Sequence, residues 1–287
     1  MIDHGISEKT LYLSMCARYT LTAEEKELIK QQGYTLRGEY QPDPNIAITD
    51  VGFVVTSDEP DVVQRMHFGI VPADAASKNV DFSSFNIRSE EVLDKPTFEP
   101  LLRQRKTCLV FADGFYETEK LGDDKRPWRF VTERKIFAFA GLWSEWIDEN
   151  GEPYRTYAIF TCRANRTVGE IHEKGRMPVI LHKFEEKTWL NKKLSIDELL
   201  SLCVPYPDNK MNRYRVGKKA LAVSTKAKPN KGMELLEEVK DEPRQENLFG
   251  DEVAKVKPRE EKPVAPKKKK PKSGRPLPPD NDLFNSQ

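Results

Sequence analysis

Lys106-Thr107-Cys108-Leu109-Val110-Phe111-Ala112-Asp113-Gly114-Phe115-Tyr116-Glu117 contains an apolar run closed by a polar turn signal, and the reading of that run decides the fold. Strands buried on both faces read as continuous apolar stretches, so Lys106 to Ala112 predicts a core strand. Asp113-Gly114 is a turn signal, after which Glu117 re-enters structure beside aromatic rings. A carboxylate in apolar surroundings has a raised pKa and exchanges protons near neutral pH. An ion-paired Glu at the foot of a hairpin is an equally good reading of the same residue.

Working outward, Trp128 to Val131, Ile136 to Trp143 and Tyr157 to Thr161 also read as strands. Shorter β-type segments lie at Ala47-Ile48-Thr49, Gly52 to Val55 and Met66 to Pro72, separated by Pro and Asp turns. Helical stretches are predicted at Thr97 to Gln104, Asn165 to Ile171, Phe184 to Leu190 and Ser195 to Leu202. The last of these opens with the capping box Ser195-Ile196-Asp197-Glu198. A second box, Thr22-Ala23-Glu24-Glu25, predicts a helix through Leu28 and Ile29 to Gln32, ended by Gly33. No βαβ alternation is sustained, so the class is α+β. The expected architecture is a single β-rich domain of mostly antiparallel strands with a barrel-like core and peripheral helices.

The chain has 287 residues, and Lys+Arg 47 against Asp+Glu 46 leave a net charge of +1, so any nucleic-acid binding must come from local patches. Cys16, Cys108, Cys162 and Cys203 are widely spaced with no CxxC pair, which argues against a zinc site and against a disulfide framework. No metal or organic cofactor is expected, and a reducing cytoplasm fits. No apolar run approaches the roughly 18 residues of a membrane span. From Lys240 onward the chain is rich in Pro, Lys and Glu, with Lys267 to Lys270 between prolines, so residues 240–287 are expected to be a disordered tail after a folded region of residues 16–239.

Met15-Cys16 stands at the start of the folded region. A cysteine that becomes N-terminal carries an α-amine and a thiol on one residue, titrating at about 7.7–8.0 and about 8.5, and this pair of nucleophiles suits an aldehyde. The amine forms an imine and the thiol closes on the imine carbon to give a thiazolidine. Taken alone, Cys16 reads more simply as a small buried hydrophobe at a strand start. Residues 1–15 carry no signal-peptide pattern and are expected to be a removed leader or a mis-assigned start.

Two further polar stretches interrupt the apolar segments. Phe85-Asn86-Ile87-Arg88-Ser89-Glu90 sets Asn86 and Arg88 two residues apart, hence on one face of an extended backbone, suited to phosphate and carbonyl recognition or to an ordinary strand edge. Ile171-His172-Glu173-Lys174-Gly175-Arg176-Met177-Pro178 sets His172 between a helical stretch and an apolar strand. Its unperturbed pKa of about 6.5 suits a general acid or base, although a lone histidine at such a junction is more often structural.

Cys16-Ala17-Arg18-Tyr19, Phe85 to Glu90, Ala112 to Glu117 and Ile171 to Leu181 together resemble the signature stretches of the SOS response-associated peptidase family, in order and spacing, over Cys16 to Ser224. The resemblance implies a β-rich domain with a basic channel for single-stranded DNA. It implies abasic-site sensing in which an N-terminal Cys16 captures the ring-opened aldehyde as a thiazolidine and so shields the lesion. It further implies Cys16 as nucleophile, Asn86 as the residue positioning cysteine and sugar, Glu117 as catalytic carboxylate and His172 as general acid/base. Arg18 and Arg88 match phosphate-contacting arginines, and Thr161 matches a threonine lining the active site and is counted with them among the DNA-binding residues. Phe68 stands where the family usually has a tryptophan and is expected to stack or wedge against a base. Thr118 replaces a tryptophan after the catalytic Glu, and Lys174-Gly175 lengthens the segment from His172 to Arg176.

Two other functions remain open to the sequence: a thiol peptidase, whose cutting is limited to self-removal of the leader, and a noncovalent single-stranded DNA binder. In the tail, Gln245-Glu246-Asn247-Leu248-Phe249 resembles the pentapeptide that docks into bacterial sliding clamps, with Gln245 at the rim and Leu248 and Phe249 in an apolar pocket. A nucleoid-associated monomer with no membrane partner is expected.

Overall fold

The computed structural model describes residues 17–30, 33–78, 84–222, 224–225 and 228–240. The chain divides into units 1–241 and 242–287, and every described residue belongs to the first. The leader, Cys16 and the tail residues Gln245, Leu248 and Phe249 lie outside the described residues.

In chain order the strands are β1 (Arg18–Leu21), β2 (Thr35–Leu36), β3 (Asp43–Ala47), β4 (Val51–Thr56), β5 (Val62–Phe68), β6 (Asn86–Arg88), β7 (Thr107–Ala112) and β8 (Gly114–Leu121). They continue with β9 (Asp124–Thr132), β10 (Phe137–Ile147), β11 (Pro153–Arg163), β12 (Arg176–Pro178), β13 (Ile180–Leu181) and β14 (Met211–Arg215). The helices are short: α1 (Glu25–Lys30), α2 (Glu99–Arg103), α3 (Arg166–Gly169), α4 (Lys183–Trp189) and α5 (Ile196–Ser201).

The antiparallel path β5-β4-β7-β10-β11 closes on itself, because β11 pairs in parallel with β5 through Thr156↔His67 and Tyr157↔Phe68. Closure leaves these five strands no open edge. Every residue of β7 is buried, as the apolar run predicts. A second, antiparallel sheet runs β14-β9-β8-β1-β3, and the chain enters it from β7 through Asp113 alone.

Tyr19 of β1 plugs the barrel. Its ring lies edge-on to Phe68 and Phe139, and its hydroxyl hydrogen-bonds that of Tyr157. A Cβ on Gly52 would stand 2.2 Å from both hydroxyl oxygens, so no larger residue fits over this pair. Burial pushes the phenol of Tyr19 far above its ordinary pKa, which leaves it a neutral strut.

Several expectations change. Asp113-Gly114 is no reversal: the backbone runs on from β7 to β8, and the carboxylate of Asp113 instead accepts from Thr22 Oγ1 at 2.7 Å and from the Ala23 amide at 3.0 Å. Gly114 is required because the Arg129 guanidinium packs where its Cβ would lie, 2.7 Å away. The Thr22 hydroxyl is thereby taken from the predicted capping box, and α1 starts later, with the amide of Glu24 bonded to Glu27 Oε2 at 3.1 Å. Thr49, predicted as strand, sits in the turn after β3 at φ 74°. The box at Ser195 and Glu198 is formed, with bonds of 2.7 and 3.2 Å.

Phe68 is also corrected. Its ring is 0 % exposed, stacked 5.2 Å from Tyr157 at an interplanar angle of 5° and met edge-on by Tyr19 and Phe85. Both faces of the ring are inside the barrel, so it has none to offer a base.

Candidate active site

Glu117 and His172 meet on the second sheet, at its central strand β8. Glu117 is an interior residue of β8, paired with Trp128 of β9, and is 5 % exposed. It is not at a hairpin foot, since the β8–β9 reversal lies at Gly122, where φ is +63°. His172 follows the single turn of α3, whose cap is Asn165 accepting from the Val168 amide at 2.9 Å. The imidazole is 8 % exposed, and its Nε2 stands 3.5 Å from Glu117 Oε2.

The other ring nitrogen sets the tautomer. Nδ1 accepts the backbone N–H groups of Lys174 at 3.2 Å and Arg176 at 3.5 Å. A nitrogen that accepts these donors carries no proton, so the neutral ring holds its proton on Nε2, facing Glu117. Burial lowers the imidazole pKa below its ordinary value, and Lys174 and Lys120 lower it further, against the backbone hydrogen bond and Glu173, which raise it. The result is a histidine held neutral, with its Nε2–H facing Glu117.

That depression has a sign for stability. The unfolded chain takes up a proton at His172 as pH falls through about 6.5, while the folded chain does not until its lower pKa is reached. The stabilisation is present above about 6.5 and is lost as pH falls through the folded value. The free-energy gap in urea unfolding between the protein and His172→Asn is therefore expected to narrow from about pH 7.5 to about pH 5. A gap that is constant, or that widens on acidification, would show a His172 that is not held neutral.

Asn86 and Arg88 share a face of β6, with Ile87 buried between them, as their spacing predicts. Parallel pairing to β11 sets Asn86 against Ile159 and Arg88 against Thr161. Arg88 is half-exposed and pairs with Glu91 at 2.8 Å. Arg18 donates to Asn45 Oδ1 at 3.2 Å and to the Ala222 carbonyl at 2.8 Å, which ties β1 to the segment after β14.

Thr161 is corrected: it is 0 % exposed and presents nothing to DNA directly. Its hydroxyl donates to the Ile87 carbonyl at 3.3 Å and accepts from Arg176 at 3.1 Å. Arg176 also donates to the Thr161 carbonyl at 2.8 Å and holds Glu90 in a fork of 2.7 and 2.9 Å. Sequence reasoning gave Arg176 no role, although it stands inside the His172 motif. Its tie to Glu90, beside Asn86 and Arg88, is what joins the two polar stretches.

The β1–β8 register pairs Tyr19 with Phe115 and Thr20 with Gly114. Continued two residues, it sets Ala17 across from Glu117. The structure thus brings Glu117 and His172 together, joins the Asn86–Arg88 strand to Arg176, and leads the described chain at Ala17 back toward the pair.

The fold is a small closed barrel flanked by a second sheet, and Glu117 against His172 on that sheet is its candidate acid–base site. The family model described as SOS response associated peptidase (SRAP) matches residues 15–223, and the chain belongs to that family. It is 35% identical over 210 residues to the abasic site processing protein YoaM of Bacillus subtilis (strain 168), covering 70% of this chain and 91% of YoaM. Against the abasic site processing protein YoqW of Bacillus phage SPbeta it is 34% identical over 210 residues, covering 70% and 92%. The abasic site processing protein HMCES of Gallus gallus is 32% identical over 197 residues, covering 56% of this chain and 58% of HMCES. A crystal structure of a Bacteroides thetaiotaomicron protein superposes with a TM-score of 0.71 at 25% identity, covering 78% of this chain and 100% of that one.

Proposed function

We propose that this protein processes abasic sites in single-stranded DNA by bonding the lesion to Cys16. The observation that carries the reading is the contact of Glu117 with the protonated Nε2 of His172 at 3.5 Å, together with a register that leads the chain toward it. Cys16 directly precedes Ala17 in the sequence, and the chemistry asks that it be the first residue of the mature chain, with a free α-amine.

The ring-opened deoxyribose offers an aldehyde at C1. The amine of Cys16 attacks it, forming a C–N bond, and Glu117 takes one proton from nitrogen and returns it to the former carbonyl oxygen, giving a carbinolamine. His172 passes its Nε2 proton to that hydroxyl, the C–O bond breaks, and water leaves behind a protonated imine. His172 regains a proton from the Cys16 thiol as the sulfur bonds to the imine carbon, and the nitrogen keeps its remaining proton in the thiazolidine. The net change is the loss of one water.

Asn86 is assigned the orientation of cysteine and sugar, and Arg18 and Arg88 the flanking phosphates. The ion pair of Arg88 with Glu91 is exposed and screened by solvent, so a phosphate can replace the carboxylate at small cost. Contacts of this kind release counterions, and noncovalent affinity falls with added salt.

The test is a denaturing gel with single-stranded DNA bearing one abasic site. Protein starting at Cys16 is expected to leave a denaturant-stable adduct, and Cys16→Ala none. An adduct that persists in Cys16→Ala would assign the chemistry to a lysine Schiff base instead.

A further inference from the structure

His172 is carried by a weak element. Helix α3 is a single turn, and an isolated turn has no stability of its own. The His172 amide bonds back to the Val168 carbonyl at 2.9 Å, so the orientation of the imidazole follows the orientation of that turn.

Arg213 of β14 grips the turn from the second sheet. One guanidinium nitrogen donates to the Thr167 carbonyl, and another donates to Glu170 Oε2 at 2.6 Å. The same guanidinium lies 5.4 Å from the centre of the Trp128 ring. Trp128 is the cross-strand partner of Glu117, so the two side chains share a face of the sheet. Trp128 is in turn oriented by its Nε1, which donates to Glu119 Oε2 at 3.0 Å. One side chain thereby spans the segment before His172 and the strand pair that carries Glu117.

We infer that Arg213 is a positioning residue that sets His172 against Glu117, by clamping α3 to the face of Trp128. The inference rests on the reading above of Glu117 and His172 as the proton-transfer pair. A planar fork is needed to bond two acceptors while lying on an indole, which an ammonium cannot do. Other ties reach the segment: Asp208 takes the Thr167 amide at 2.7 Å and its hydroxyl at 2.6 Å, and Lys120 pairs with Glu173 at 2.7 Å. Asp208 holds α3 from its own start and Lys120 holds the loop beyond the histidine. Arg213 links the turn to Trp128 of β9, the cross-strand neighbour of Glu117.

Two readouts test this on the full protein, using Arg213→Ala and the milder Arg213→Lys. The first is the imidazole nitrogen spectrum, which needs no DNA. With 4 histidines in the chain, His172→Gln identifies the relevant signals. The unaltered protein is expected to show the single Nε2–H tautomer at His172, and Arg213→Ala a mixture, with Arg213→Lys between them.

The second readout is single-turnover adduct formation. Arg213→Ala is expected to lower the rate by about tenfold to a hundredfold, the scale of a small misplacement of a reacting group, with noncovalent DNA affinity retained. In a His172→Gln background the same substitution is expected to cost nothing further, since it acts through the histidine. An unchanged tautomer in Arg213→Ala, or a rate loss that adds in full to that of His172→Gln, would overturn the inference. Should the unaltered protein form no adduct, the functional reading fails, and the tautomer spectra still decide the clamp.

Discussion

Glu117→Gln is expected to slow adduct formation by about 10²- to 10⁴-fold, the usual worth of a positioned proton acceptor, while noncovalent binding of single-stranded DNA is kept. The substitution preserves shape and an acceptor oxygen, so the Nε2–H of His172 still finds a partner 3.5 Å away. It removes only the ability to take a proton from the attacking amine. Because Glu117 is buried within β8 and Arg88 is an exposed residue of a different strand, β6, phosphate contacts should not notice the change. Single-turnover gels measure the rate, and fluorescence anisotropy with an aldehyde-free abasic analogue measures binding. A parallel fall in rate and affinity would make Glu117 a structural residue of the sheet and not a proton acceptor.

The second large effect is expected on stability. Asp113 and Arg129 are both buried, joined at 2.9 Å, and the guanidinium also donates to Thr20 Oγ1 at 2.9 Å and to the Tyr214 hydroxyl at 2.7 Å. The carboxylate further holds the Thr22 hydroxyl and the Ala23 amide, where the chain leaves β1. Asp113→Ala would leave a buried cation without its counterion, which costs about 3–5 kcal/mol. Against a typical stability of about 5–15 kcal/mol that is a large fraction. Urea unfolding measures it. Replacing both partners, as Asp113→Ala with Arg129→Met, is expected to recover part of the loss, because the stranded charge is gone. A loss below about 1 kcal/mol for Asp113→Ala would mean that Arg129 is adequately solvated without it.

Much of the barrel was legible because its strands are buried on both faces and so lack polar alternation. Thr107 to Ala112, the first part of β10 and the middle of β11 all read as strands for that reason. The closure was not legible in detail: the β5–β11 pairing joins segments far apart in sequence, and no local pattern encodes it. The same kind of distant partner misled the reading at Thr22, whose hydroxyl is recruited by Asp113, and at Phe68, an aromatic residue whose stacking partner is Tyr157 and not a base. Strand β14, with its sequence Met-Asn-Arg-Tyr-Arg, has too many charges to announce itself and went unread.

The candidate site divides along the same line. Glu117 and His172 could be named from residue chemistry and from family resemblance, but their meeting comes from a turn packed on a sheet. The tautomer that makes the histidine a donor depends on two backbone amides in the Lys174-Gly175-Arg176 loop. Thr161 was named for DNA and serves Arg176 instead, an outcome fixed by its total burial. Arg213 and Trp128 carried no motif, and only the register of β8 with β9 shows why they matter.

In the proposed reaction Cys16, as the first residue, bonds the abasic aldehyde through both its amine and its thiol. Intact mass of the purified protein, before and after reaction with abasic single-stranded DNA, tests it directly. The expected protein mass is that of a chain that begins at Cys16, and the expected adduct mass is protein plus DNA less one water, stable without added reductant. A protein that retains residues 1–15 yet forms the adduct, or an adduct that survives denaturation only after borohydride reduction, would contradict it.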